Sequence, residues 1–194
     1  MKVCGLTGGV GMGKTTTAQF LGELGVKVLD TDTVARQLVQ PGEPALGEIR
    51  TAFGVEVIGN DGQLRRDELA RIVFTDGLAR EKLEQILHPR IRSVWLAQID
   101  AWRREGLPLA VVVIPLLFET NAQTHFDKII CAACLPATQH ERLLARGWTT
   151  SQITLRIAAQ WPVEQKMARS DYVVWSEGEM ESMARQVGLI LARV

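Results

Sequence analysis

An open parallel α/β sheet is the fold class that this sequence predicts, and three observations carry the prediction. The first is Gly8-Gly9-Val10-Gly11-Met12-Gly13-Lys14-Thr15, a G-x-x-x-x-G-K-[ST] segment set between a short apolar run and a helical one. The second is Leu109-Ala-Val-Val-Val-Ile114, a continuous apolar and largely β-branched run of the kind covered on both faces in a parallel sheet. The third is the alternation of strand and helix patterns along the chain, with no internal repeat and no low-complexity linker.

Val3-Cys4-Gly5-Leu6 reads as the first, buried strand, and Thr16 to Leu24 as a helix with Ala18, Phe20, Leu21 and Leu24 as its apolar contacts. An ordinary glycine-rich turn needs no such setting. Between a strand and a helix, the glycines let the backbone approach phosphate oxygens, with N–H groups and the positive helix end aimed at them. The backbone of Gly11, Met12, Gly13, Lys14, Thr15 and Thr16 is therefore the candidate phosphate cradle. Lys14 can reach the β- and γ-phosphates, and the Thr15 hydroxyl can ligate Mg²⁺.

Gly25 stops the first helix, and Val26-Lys27-Val28-Leu29 follows as a second strand that ends in Asp30-Thr31-Asp32. In parallel sheets, ligands gather beyond the carboxyl ends of the strands, where the glycine loop also lies. These two acids could cap the short helix Thr33 to Gln40, but Asp32 can face the same crevice and is the candidate general base. Pro41-Gly42 breaks that helix.

From Pro44 to Glu105 the pattern is helical. Pro44 to Phe53 is closed by Gly54, Asn60-Asp61-Gly62 is a turn, and Asp67 to Phe74 and Gly77 to Leu87 carry apolar residues at helical spacing. His88-Pro89 is expected to separate these from a long helix, Arg90 to Glu105, with Pro89 in its first turn. So many helices between the second and third strands predict an insertion, about 44–106, over the binding edge of the sheet. Arg65, Arg66, Arg90 and Arg92 are available there for an anionic substrate, although a solvated surface role is the ordinary one for any single arginine.

Pro115 ends the Leu109–Ile114 strand, and no aspartate stands at its end to serve a metal, so Mg²⁺ coordination rests on Thr15, phosphates, water and Asp32. Lys128 to Cys134 is the fourth strand and Asp171 to Trp175 the fifth, which gives a five-stranded sheet. Between them, about 136–160, lies a helical lid. Its first helix carries Arg142 and Arg146 one turn apart, with no acid three or four residues away to offset either. Such a pair suits the closing of a phosphate clamp, and Arg156 and Lys166 are read as further positive charge nearby.

The bulk properties set limits. With 194 residues, 46% apolar and 23% charged, the chain suits one substantial core with a small inserted subdomain. Lys plus Arg and Asp plus Glu are 22 each, so no overall electrostatic footprint for nucleic acid or an acidic membrane is present. No signal peptide or membrane span is read, and a soluble, intracellular, cytoplasmic protein is expected. Cys131-Ala-Ala-Cys134 has redox or zinc spacing, but it lies within a strand pattern without a second ligand pair, so packing is the expected role. A guanine-nucleotide switch would need N-K-x-D and D-x-x-G, and the sequence holds neither.

Taken together, these motifs resemble the dephospho-CoA kinase family through almost the whole chain. The resemblance runs from Leu6-Thr7-Gly8 to Thr15, through Asp30-Thr31-Asp32 with Ala35-Arg36, Phe53-Gly54, Asp61-Gly62 with Arg66 and Leu69, Val73-Phe74 and His88-Pro89. It closes with Pro115-Leu116-Leu117-Phe118-Glu119, then Gln139 with Arg142 and Arg146, Gln160, and Ser170-Asp171. It implies a P-loop kinase core (1–43, 107–135 and 161–194), a helical region that holds dephospho-CoA, and a lid over ATP. It further implies ATP as co-substrate with Mg²⁺, Lys14, Asp32, Arg142 and Arg146 as the catalytic group, and Arg66 and His88 beside Asp32 on the substrate. A monomer or weak oligomer is expected. Another small-metabolite or nucleotide kinase is the alternative on the same core. Met12 and Thr15 stand where the family commonly has serines, and Trp175-Ser176-Glu177-Gly178 replaces its usual Asn before Gly.

Overall fold

The computed structural model describes residues 1–194. Its five strands are β1 (Lys2–Gly8), β2 (Lys27–Asp30), β3 (Leu109–Val113), β4 (Lys128–Ala133) and β5 (Tyr172–Trp175). All pair in parallel, in the order β2-β3-β1-β4-β5. The chain thus runs from β1 out to β2, returns to β3 beside β1, and then crosses to β4 on the other side. That reversal makes the carboxyl end of β1 a topological switch point, where parallel sheets leave a crevice. The five-stranded parallel α/β sheet is the fold that the sequence predicted.

The strand burial explains the composition. Val3 to Gly8, Ala110 to Val113 and Ile129 to Ala133 are buried, as expected for central strands covered on both faces. Edge strand β5 leaves Val173 and Trp175 exposed. Its open backbone is capped by the Gln186 side chain, which accepts from the Trp175 N–H (2.8 Å) and donates to the Trp175 carbonyl (3.0 Å).

The helices are α1 (Lys14–Glu23), α2 (Thr31–Gln37), α3 (Pro44–Phe53), α4 (Arg66–Thr75), α5 (Gly77–Arg104), α6 (Pro136–Ala145), α7 (Thr150–Ala158), α8 (Val163–Ala168) and α9 (Met180–Leu191). Two compact units result: Met1–Asp30 with Ala101–Val194, and Thr31–Asp100. In the first, Leu6, Leu21, Val111, Ile130, Met183 and Val187 belong to one apolar cluster on the sheet. In the second, Val39, Leu46, Ile49, Val57, Leu69 and Val73 form a separate one. The buried face of α9, Met183, Val187 and Ile190, follows the i, i+4, i+7 spacing of an amphipathic helix.

One expectation is overturned. His88-Pro89 does not divide two helices: α5 is continuous and contains Pro89. Proline removes the N–H that would bond the Gln85 carbonyl, and its ring crowds the preceding turn, at a cost of about 3 kcal/mol. Three features offset this. Leu83, Ile86 and Leu87 pack against the helical cluster ahead of the proline, the Arg90 guanidinium donates to the Ile86 carbonyl at 2.6 Å, and it also pairs with the Glu48 carboxylate.

Candidate active site

β1 delivers the loop from the middle of the sheet, and α1 begins at Lys14 directly beyond it. Gly13 takes the N-cap position at φ 89°, with no side chain capping the helix and no acid in the first turn. The first-turn N–H groups and the positive helix end are thus presented to an anion. A side chain at Gly13 is barred twice over, by its positive φ and by Ser176, whose Cβ lies 2.7 Å from where a Cβ would stand. Lys14 extends back over the loop and donates to the Gly8 and Gly9 carbonyls at 3.0 and 2.8 Å. Thr15 is exposed, Met12 is buried, and the buried Thr17 hydroxyl donates to the Gly13 carbonyl at 3.1 Å.

A cavity of about 200 Å³ opens beside this loop, lined by Gly11, Gly13 and Thr16 and by Arg142, Arg146 and Ser176. α6 brings in Arg142, whose Nη1 donates to Ser176 Oγ at 2.8 Å and whose Nη2 donates to the Ser176 carbonyl. Ser176 Oγ in turn donates to the Met12 carbonyl at 3.2 Å. Ser176 therefore joins the phosphate loop to the arginine. Arg146 caps the end of α6 and is exposed at the same cavity.

Two side chains read as extra positive charge do other work. Lys166 is fully buried, and its ammonium donates to Glu119 Oε1 and to the Pro115 carbonyl, both at 2.7 Å. It is an internal ion pair rather than part of a clamp. Glu119 Oε1 also accepts from the Trp161 N–H at 2.9 Å. The Arg156 guanidinium lies 4.1 Å from the centre of the Trp148 ring.

The remaining candidates belong to the helical unit. Asp32 is exposed in the first turn of α2, two residues beyond the end of β2. Arg66 opens α4 and donates to the Arg36 carbonyl at 3.4 Å, while Arg65 donates to the Glu56 carbonyl at 3.2 Å. His88 is half-buried within α5; burial holds its imidazole below the ordinary value, Arg92 acts in the same direction, and Glu84 opposes them.

All three cysteines are buried thiols. Burial pushes Cys4 and Cys131 up to about 11 and raises Cys134 as well, which makes them unreactive packing groups. No three His, Cys, Asp or Glu side chains are grouped to hold a metal ion.

Residue patterns alone did not single out Gln139, Gln160, Ser176 or Glu119 for the site. The first two hold the loop itself: Gln160 Oε1 accepts from the Val10 N–H at 2.9 Å, and Gln139 Nε2 donates to the Val10 carbonyl at 2.7 Å. These partners are 150 and 129 residues apart in the chain, beyond the reach of any local spacing rule. For Ser176 the signal was the departure at Trp175-Ser176-Glu177-Gly178 rather than any local spacing.

The family model for dephospho-CoA kinase matches residues 2–182. A dephospho-CoA kinase of Geobacillus kaustophilus is 40% identical over 188 residues, covering 96% of this chain and 94% of the relative. Among solved structures, a Thermus thermophilus protein superimposes with a TM-score of 0.82 at 31% identity, over 100% of this chain and 97% of the other. The dephospho-CoA kinase of Campylobacter jejuni shares the fold, with a TM-score of 0.72 at 23% identity over 100% and 97% of the two chains. A family match along almost the whole length, a relative at this identity, and an intact phosphate loop agree: the chain belongs to the dephospho-CoA kinase family.

Proposed function

We propose that this protein transfers the γ-phosphoryl group of ATP to the ribose 3′-hydroxyl of dephospho-CoA, giving coenzyme A and ADP. One observation carries the reading from geometry: the uncapped N-terminus of α1 and the two lid arginines line one cavity in a chain of this family. The cradle N–H groups of Gly11 to Thr16 hold the phosphates. Lys14 exchanges its bonds to the Gly8 and Gly9 carbonyls for phosphate oxygens, a short swing of one ammonium. The exposed Thr15 hydroxyl in the first turn of α1, beside the phosphate cradle, is the oxygen that this chain offers to a Mg²⁺ ion carried with the phosphates. Thr15 would hold the ion, which when bound neutralises phosphate charge.

Asp32 orients the 3′-hydroxyl and accepts its proton as the oxygen attacks the γ-phosphorus and the bond to the β-phosphate oxygen breaks. Its support is the chain path, since β1 and β2 end on the same side of a parallel sheet and Asp32 follows β2 by two residues. Arg66 and His88 contribute to dephospho-CoA binding within the region 44–106. Arg142 leaves Ser176 for the transferring phosphoryl as the segment 136–160 closes with Arg146, excluding water that would otherwise hydrolyse ATP.

We place the reaction in the cytoplasm, with a monomer or weak oligomer acting on two soluble small molecules without nucleic acid or membrane. In support, the basic and acidic residues balance at 22 each, and no helix is long and apolar enough to cross a membrane. The test is acceptor dependence of ADP release from Mg-ATP. Release should require dephospho-CoA and stay low with shikimate, gluconate or nucleosides. Release driven equally well by another small alcohol would transfer the reading to a different metabolite kinase.

A further inference from the structure

We infer that Gln139 and Gln160 are positioning residues that fix the tip of the phosphate loop and couple it to the arginine-bearing helix. Val10 is flanked by Gly9 and Gly11, so neither neighbour has a side chain to pin the loop. Its backbone is held instead by two side-chain amides, one on its N–H and one on its carbonyl. The polarity of these bonds is unambiguous. A backbone N–H only donates, so Gln160 must present oxygen, and a carbonyl only accepts, so Gln139 must present its NH₂ group.

Each glutamine belongs to a different end of the α6–α7 segment. Gln139 is 5% exposed on α6, one turn before Arg142, and Arg142 reaches the same loop through Ser176 and Met12. Gln160 follows α7 and is next to Trp161, whose N–H is held by Glu119 and whose ring stacks on Phe118 at 6.2 Å between centroids. Gln160 is therefore the fixed anchor, tied to the segment after β3. Gln139 is the moving one: a displacement of α6 that carries Arg142 off Ser176 also pulls on the Val10 carbonyl. The loop that receives the phosphates and the helix that brings the arginine then respond as one unit.

The opposed polarities give a test that uses the same substitution twice. Gln160→Glu keeps an acceptor for the Val10 N–H, whereas Gln139→Glu sets a carboxylate against the Val10 carbonyl. The inference rests on the ATP site proposed above but not on the acceptor, so the readout is MgADP affinity by calorimetry without acceptor, alongside Tm. Gln160→Glu should bind within about threefold of the parent, while Gln139→Glu, Gln139→Leu and Gln160→Leu should each bind about tenfold weaker or worse. If Gln139→Glu does not fold, Gln139→Leu against Gln160→Glu decides the matter. Coupling is read from a cycle of Gln139→Leu with Arg142→Ala on the affinity for a non-hydrolysable MgATP analogue, which carries the γ-phosphoryl that Arg142 would meet; the combined loss should fall short of the product of the two by at least about threefold. Equal behaviour of the two glutamate variants, parent-like affinity with only a lowered Tm in the leucine variants, or a multiplicative cycle would overturn the inference. A parent protein that bound MgADP but made no coenzyme A would fault the acceptor assignment and leave these comparisons standing.

Discussion

Asp32 and His88 show how a single side chain's surroundings set what a substitution should do. Asp32 is exposed at the start of a helix, so Asp32→Asn removes the proposed base without opening a cavity. Turnover should fall by about 10²–10⁴ with nucleotide affinity nearly intact, read by steady-state kinetics beside direct ATP binding. Undiminished turnover would remove Asp32 from the chemistry. His88 makes a prediction about pH. Its folded value lies below its unfolded one because the ring is partly buried, so the unfolded chain binds a proton that the folded one resists. Stability should therefore drop as pH falls through about 6.5, with no slope from this group at higher pH. Urea midpoints at pH 7.5 and 5.5 should differ less in His88→Gln than in the parent, and an unchanged difference would contradict the assignment. Much of this scale was legible in the sequence, because the G-x-x-x-x-G-K-[ST] spacing specifies Gly11 to Thr16 by local geometry. Lys166 was not. Its charge suggested an exposed clamp, but Glu119 and the Pro115 carbonyl, about fifty residues away, satisfy it inside the protein.

Among the elements, α5 is where a local rule loses to its context. A proline preceded by histidine reads as a boundary, because the penalty follows from the backbone of one residue. What keeps the helix whole is the packing of Leu83, Ile86 and Leu87 and the hydrogen bond from Arg90 to Ile86, neither of which is a property of the His-Pro pair. Pro89 itself is exposed. Pro89→Ala restores an N–H for the Gln85 carbonyl and should stabilise the protein by about 1 kcal/mol, less than the full helix penalty because the native turn already accommodates the ring. Thermal unfolding would show a higher Tm. A lower Tm would mean that the packing of α5 depends on the distortion that Pro89 imposes. Arg90, offered by the sequence to an anionic substrate, is engaged with Ile86 and Glu48 and so braces the helix beside Pro89.

At the level of the whole molecule, strand order turns separate motifs into a site. Because β1 lies between β3 and β4, the phosphate loop emerges at the switch point, and the C-terminal residues after β5 return to it through Ser176. The parallel α/β class followed from the strand patterns, but the order β2-β3-β1-β4-β5 and the contacts of Ser176 and the two glutamines depend on pairings across the full chain. Sequence spacing does not encode those pairings directly. What this loop would accomplish is transfer of a phosphoryl group to the 3′-hydroxyl of dephospho-CoA. The most direct test is mass spectrometry of the products formed from Mg-ATP and dephospho-CoA, with Lys14→Ala run in parallel. A species heavier by one phosphoryl group that matches coenzyme A is expected, and it should be absent with Lys14→Ala. No such species, from a protein that still binds ATP, would contradict it.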